Sequence, residues 1–142
     1  KMMHLKDESG TSPFAQCVAA EFARDGNLDR HILTLRDAYQ SRRDAMLDSL
    51  ETFMPPGVIW TRPAGGFFVW LTVPPSVEPT ALRARSYALG VDYMPGEACF
   101  ADGESAPAGT HLRLAFSQRS PSGIREAVAR LSKAVRELLA AT

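Results

Sequence analysis

Pro63-Ala64-Gly65-Gly66-Phe67-Phe68-Val69-Trp70 is a Gly-Gly turn running straight into a strongly β-prone segment, and the fold turns on it. Residues 58–61 have the same β preference, and Arg62-Pro63-Ala64-Gly65-Gly66 between them has hairpin-loop chemistry. The spacing predicts strands over 58–61 and 67–73, paired as a hairpin. Pro74-Pro75 closes the second strand, because neither ring nitrogen can donate to a ladder. The turn needs a positive φ, which glycine supplies, and Phe67, Val69 or Trp70 goes into the core.

Working outward, Ser12 is a helix N-cap with Pro13 at the first helical position, followed by Phe14, Cys17, Val18 and Phe22 at helical spacing. Asp25-Gly26-Asn27 stops that helix, and Asn27 is expected to cap the next. From Leu28, the positions Ile32, Leu35, Tyr39, Met46, Leu47, Leu50 and Phe53 keep a 3.6-residue period until Pro55-Pro56-Gly57. Pro79 opens a shorter helix that ends at Gly90. Residues 91–94 form a short strand or extended piece before a Pro95-Gly96 turn. Residues 101–110 read as a loop and 112–116 as a strand. Ser120-Pro121 starts the last helix, with Ile124, Val128, Leu131, Val135 and Leu138 as its apolar stripe.

The order ααββαββα, with helices that each offer one apolar face, predicts an α+β two-layer sandwich. Helices pack on one face of a small, mainly antiparallel sheet, and residues 1–142 form a single domain.

Composition narrows the function. With 45% hydrophobic and 23% charged residues the chain is globular rather than disordered. A formal net charge of zero gives no bulk attraction to nucleic acid or an anionic membrane. No apolar run approaches the roughly 20 residues of a membrane helix, and no export leader is visible, so the expected location is cytoplasmic. Cys17 and Cys99 show no ligand spacing and are expected to be reduced, buried thiols. His4, His31 and His111 are not at metal-ligand spacing. His31 reads as solvated, and Arg42-Arg43 as a solvated helix face. Nothing beside Cys99 would activate its thiol, and no phosphate-loop, dinucleotide or Gly-x-Ser-x-Gly motif is present.

The candidate for chemistry lies in His111-Leu112-Arg113-Leu114-Ala115-Phe116. Alternation puts Leu112, Leu114 and Phe116 on one face and His111, Arg113 and Ala115 on the other. If helices cover the leucines, Arg113 points to the open face. Its planar guanidinium suits either paired hydrogen bonds to a carboxylate or an ordinary surface ion pair.

These two segments, joined by Gly90-Val91-Asp92-Tyr93-Met94-Pro95-Gly96, resemble the C-terminal small domain of a fold-type I, pyridoxal-phosphate-dependent aminotransferase of class I/II. The nearest likeness is to the 2-aminoadipate/aromatic aminotransferase group, and it covers essentially the whole chain. The resemblance implies that Arg113 grips the α-carboxylate of the amino-acid substrate. It places Phe67 near the substrate side-chain pocket, and makes residues 93–100, which resemble the family's Pro-Gly-x-x-Phe loop, structural support without a chemical role for Cys99. It further implies pyridoxal 5'-phosphate as cofactor, amino acids and 2-oxo acids as substrates, a large domain of the same protein as partner, and a homodimer when complete.

The cofactor lysine and phosphate cradle of such enzymes have no match here. Of the three lysines, Lys1 and Lys6 lack the family's Ser-x-x-Lys setting and Lys133 falls on a charged helix face. The chain alone is therefore expected to bind no cofactor and to be inactive. Two other readings compete: an aminotransferase-like domain fused to a helix-turn-helix regulator, and a stand-alone α+β binding module. Such regulators often carry histidine at the place of Phe67 or Phe68, and keep the Leu-Arg-Leu-x-Phe strand less well.

Overall fold

The computed structural model describes residues 12–100 and 110–141. Lys1, His4, Lys6 and most of the expected 101–110 loop lie outside the described residues. The chain divides into two compact units, Lys1–Asp37 and Ala38–Thr142.

In the first unit, helix α1 (Pro13–Ala23) starts where expected, with the Ser12 hydroxyl accepting from the Ala15 amide at 3.5 Å. Pro13 costs this helix nothing, because the first amides have no intrahelical partner. A 3-10 turn over Arg24–Gly26 then breaks the helix, with Asp25 itself at φ 55. Asn27 does not stand outside the next helix as a cap. It has helical dihedrals and is the first residue of α2 (Asn27–Phe53), its Oδ1 accepting from Arg30. None of the described residues of this unit is buried. Cys17 is therefore exposed, contrary to the burial expected of it, because α1 has no covered face on which a thiol could pack.

The second unit carries a four-stranded sheet in the order β1-β2-β4-β3, with every neighbouring pair antiparallel. Its strands are β1 (Ile59–Trp60), β2 (Phe68–Val73), β3 (Met94–Pro95) and β4 (Thr110–Ala115). The hairpin forms as the Gly-Gly segment predicts, with Ile59 opposite Thr72 and Trp60 opposite Leu71. Only Gly66 of the pair needs a positive φ, at 79°.

Helices α3 (Pro79–Ala88) and α4 (Pro121–Ala140), with the later part of α2, supply the other layer. Glu78 caps α3 by accepting from the Thr80 and Ala81 amides, which holds its carboxyl below the usual range. Ser120 caps α4 through the Gly123 amide at 3.2 Å.

The core joins Val69, Leu71 and Val73 of β2 and Leu112 and Leu114 of β4 to Met46 and Leu50 of α2, Leu82 of α3, and Ile124, Val128, Leu131 and Val135 of α4. Fully burying each such side chain contributes roughly 1.5–3 kcal/mol. Tyr93 joins them before β3, and burial pushes its phenol up to about 12. The last carbonyl of α2, on Phe53, would lack a partner within its own helix. It accepts from Ser132 and from Arg136 Nη2, both on α4, so the two helices are tied by hydrogen bonds as well as by packing.

Arg42 and Arg43 correct the reading of a solvated helix face. Both are half-buried, Arg42 donating to the Ser117 carbonyl at 2.6 Å and Arg43 to the Ala64 carbonyl at 3.0 Å. They fasten the Gly-Gly turn and the end of β4 to α2.

Candidate functional site

One face of the sheet lies under the helices; the other carries the candidate site. On β4, Leu112 and Leu114 enter the core while Arg113 and Ala115 point away. On β2, Val69, Leu71 and Val73 are buried while Phe68, Trp70 and Thr72 point away. The antiparallel register sets Trp70 directly opposite Arg113, Thr72 opposite His111 and Phe68 opposite Ala115. Met94 flanks Arg113 from β3. Of the residues expected in the core at the turn, only Val69 is there: Phe67 is 45% exposed and Trp70 lies on the uncovered face.

Arg113 is half-buried, with its Cζ over the Phe68 ring at 4.3 Å from the centroid. Its Nε is shielded from solvent and has no hydrogen-bond partner. Among the described residues no carboxylate is within ion-pair distance of it. An unpaired buried donor costs about 1–3 kcal/mol, and more when it is charged.

Beside it the sequence shows less than the structure. His111 is buried, stacked on Trp70 at 5.7 Å between centroids, and its Nδ1 is 3.1 Å from the Thr72 hydroxyl. Phe100 meets both rings edge-on. Alternation places His111 and Trp70 on this face, but only the register and the return of the chain through residues 96–100 bring Phe100 to them. Gly96 makes that return possible, since a Cβ there would lie 2.3 Å from His111 Cβ. Cys99 follows on the outer side of a 3-10 turn and is exposed, not buried; its Sγ lies 4.0 Å from the Pro95 carbonyl. Phe67 leaves the sheet and meets Tyr39 edge-on at 4.9 Å.

A pyridoxal-phosphate site does not fit the described residues. Their one lysine, Lys133, is exposed on α4, the helix that covers the opposite face of the sheet from Arg113. The described residues also contain no group of acidic, histidine or cysteine side chains that would hold a metal ion, and no helix long and apolar enough to cross a membrane. Among the described residues the open face offers one guanidinium, over the Phe68 ring and on the same face as the His111–Trp70–Phe100 cluster.

The chain as a whole is similar to known proteins. The chain is 41% identical to aromatic-amino-acid aminotransferase 1 of Thermococcus litoralis over 127 residues, which is 89% of this chain and 30% of that protein. An uncharacterized helix-turn-helix transcriptional regulator of Bacillus subtilis is 28% identical, matching 94% of this chain and 27% of its own length. Among solved structures, a multiple-substrate aminotransferase from Thermococcus profundus superposes with a TM-score of 0.82 at 39% identity, over 91% of this chain and 31% of that one. The α-aminoadipate aminotransferase of Thermus thermophilus, solved with N-(5'-phosphopyridoxyl)-L-leucine, gives 0.80 at 31% identity, over 89% and 32%. The chain thus spans about 30% of the length of these enzymes. The sequence profile of class I and II aminotransferases matches residues 2–131, and the chain belongs to that family.

Proposed function

We propose that the complete protein is a pyridoxal-phosphate-dependent aminotransferase, moving an amino group between an amino acid and a 2-oxo acid, and that this chain supplies its carboxylate anchor, Arg113. The observation that carries the reading is the Arg113 guanidinium on the open face, with a shielded Nε and no carboxylate partner among the described residues. A guanidinium presents donors in a fixed fork that matches both oxygens of a carboxylate, and each charge-assisted bond is worth roughly 1.5–3 kcal/mol. Fixing that end of the substrate orients the α-carbon toward the reacting group. The cofactor, held by a large domain of the same protein, supplies the amino-group transfer; the part of this chain is to bind and orient. The complete protein is a cytoplasmic homodimer in this reading.

The enzyme is favoured over the regulator by the higher identity to an aminotransferase, and by Phe67 and Phe68 standing where such regulators often carry histidine.

The test is kinetic, in the complete protein. Arg113→Leu removes the fork and should cost about 2–5 kcal/mol of transition-state stabilisation, or roughly 30- to several-thousand-fold in kcat/KM for an amino acid. The matching amine without its carboxylate should lose far less. Arg113→Lys should recover only part, because an ammonium cannot make the paired contact. Equal losses on both substrates, or none on either, would make the arginine structural. The 142-residue chain by itself should show no visible cofactor absorbance that survives dialysis, and no transaminase activity.

A further inference from the structure

We infer that Phe68 is a positioning residue for Arg113, holding the guanidinium so that its terminal nitrogens stay turned to the ligand. The inference rests on Arg113 being the carboxylate anchor and adds how that anchor is held.

Three observations carry it. Arg113 Cζ lies 4.3 Å from the Phe68 centroid, well inside the distance at which a cation is attracted to a ring face. The two residues are diagonal neighbours across β2 and β4, since Phe68 pairs with Ala115 and Arg113 with Trp70. A diagonal is long for most side chains but within reach of arginine and an aromatic. Ala115, directly opposite Phe68 on the same face, is small and exposed, so it leaves the space through which Arg113 crosses to the ring.

With Trp70 opposite on β2 and Met94 on β3, the arginine stem is confined between flanking strands. Nε is shielded there without an acceptor. A guanidinium free to swing would turn that nitrogen toward water. Resting on Phe68, it keeps Nε covered and leaves the two terminal nitrogens as the end-on pair for two carboxylate oxygens. Phe68 is 43% exposed, so it is not there to fill the core. Its neighbour Phe67 goes instead to Tyr39, which leaves Phe68 as the ring under the arginine.

The experiment compares Phe68→Leu and Phe68→Tyr in the complete enzyme, reading the ratio of kcat/KM for an amino acid to that for the matching amine without a carboxylate. Arg113→Leu is measured alongside. Phe68→Leu keeps an apolar side chain but removes the π face, and should lower the ratio about 3- to 20-fold, mainly through KM for the amino acid. Phe68→Tyr should keep the ratio within about twofold of the parent, because the ring face remains. If Arg113→Leu collapses the ratio and Phe68→Leu leaves it unchanged, or if the leucine and tyrosine variants fall equally, the positioning role is wrong while the anchor stands. If Arg113→Leu itself leaves the ratio unchanged, the anchor falls and the role of Phe68 with it.

Discussion

The two faces of one small sheet are made from alternate residues of the same two strands, yet they have opposite characters. Under the helices, Val69, Leu71, Val73 and Leu112 are fully buried, and neighbouring elements complete their packing. On the other side, Arg113 lies over Phe68 and His111 stacks on Trp70, and the arginine keeps a shielded nitrogen unsatisfied. The first face lowers the free energy of the fold. The second holds a donor in place at some cost to that stability. Buried polar atoms without a partner occur on both sides, Trp60 Nε1 and Ser86 Oγ under the helices and Arg113 Nε on the open face, but only the last belongs to a charged group, and that is where to look for function.

The comparison breaks if the leucine face proves dispensable. Leu112→Ala should destabilise the 142-residue chain by about 2–5 kcal/mol in urea unfolding, through lost burial plus the cavity left behind. A loss below about 1 kcal/mol would mean that this face is not closely packed.

A pH titration sharpens the same side. Tyr93 has its phenol raised from 10.0 to about 12 by burial, so the folded form holds its proton where the unfolded chain has lost it. Stability from this group is fully present below pH 10 and should drain away as pH rises through about 12. Tyr93→Phe should flatten that alkaline slope.

Ser120→Ala should cost about 1 kcal/mol, since the Gly123 amide loses its acceptor at the start of the helix that covers the leucines. Smallest, and opposite in meaning, is the stability effect of Arg113→Leu. It should be within about 0.5 kcal/mol of neutral or slightly stabilising, because the side chain makes no ion pair among the described residues and strands a donor. A loss above about 1.5 kcal/mol would show that the open face also builds the fold.

The sequence by itself determined the elements and the two-sided character of β4. Proline and glycine positions, the Ser12 and Ser120 caps, and the period-2 alternation of residues 111–116 are local signals, and local sterics and hydrogen bonding are enough to decide them. They also put Arg113 on the face away from the leucines, and the family resemblance gave that position its proposed role.

Tertiary structure decided what surrounds each of the remaining groups. Cys17 and Cys99 look like buried thiols by composition, yet the first sits on an uncovered helix and the second on the outside of a tight turn. Arg42 and Arg43 look solvated by charge, yet carbonyls at Ser117 and Ala64 draw them in from far along the chain. Phe68 under Arg113, and Phe100 against Trp70 and His111, depend on register and chain return. Those partners come together only when distant segments pair, and a pattern read along one strand carries no information about which residue stands across from it on the next.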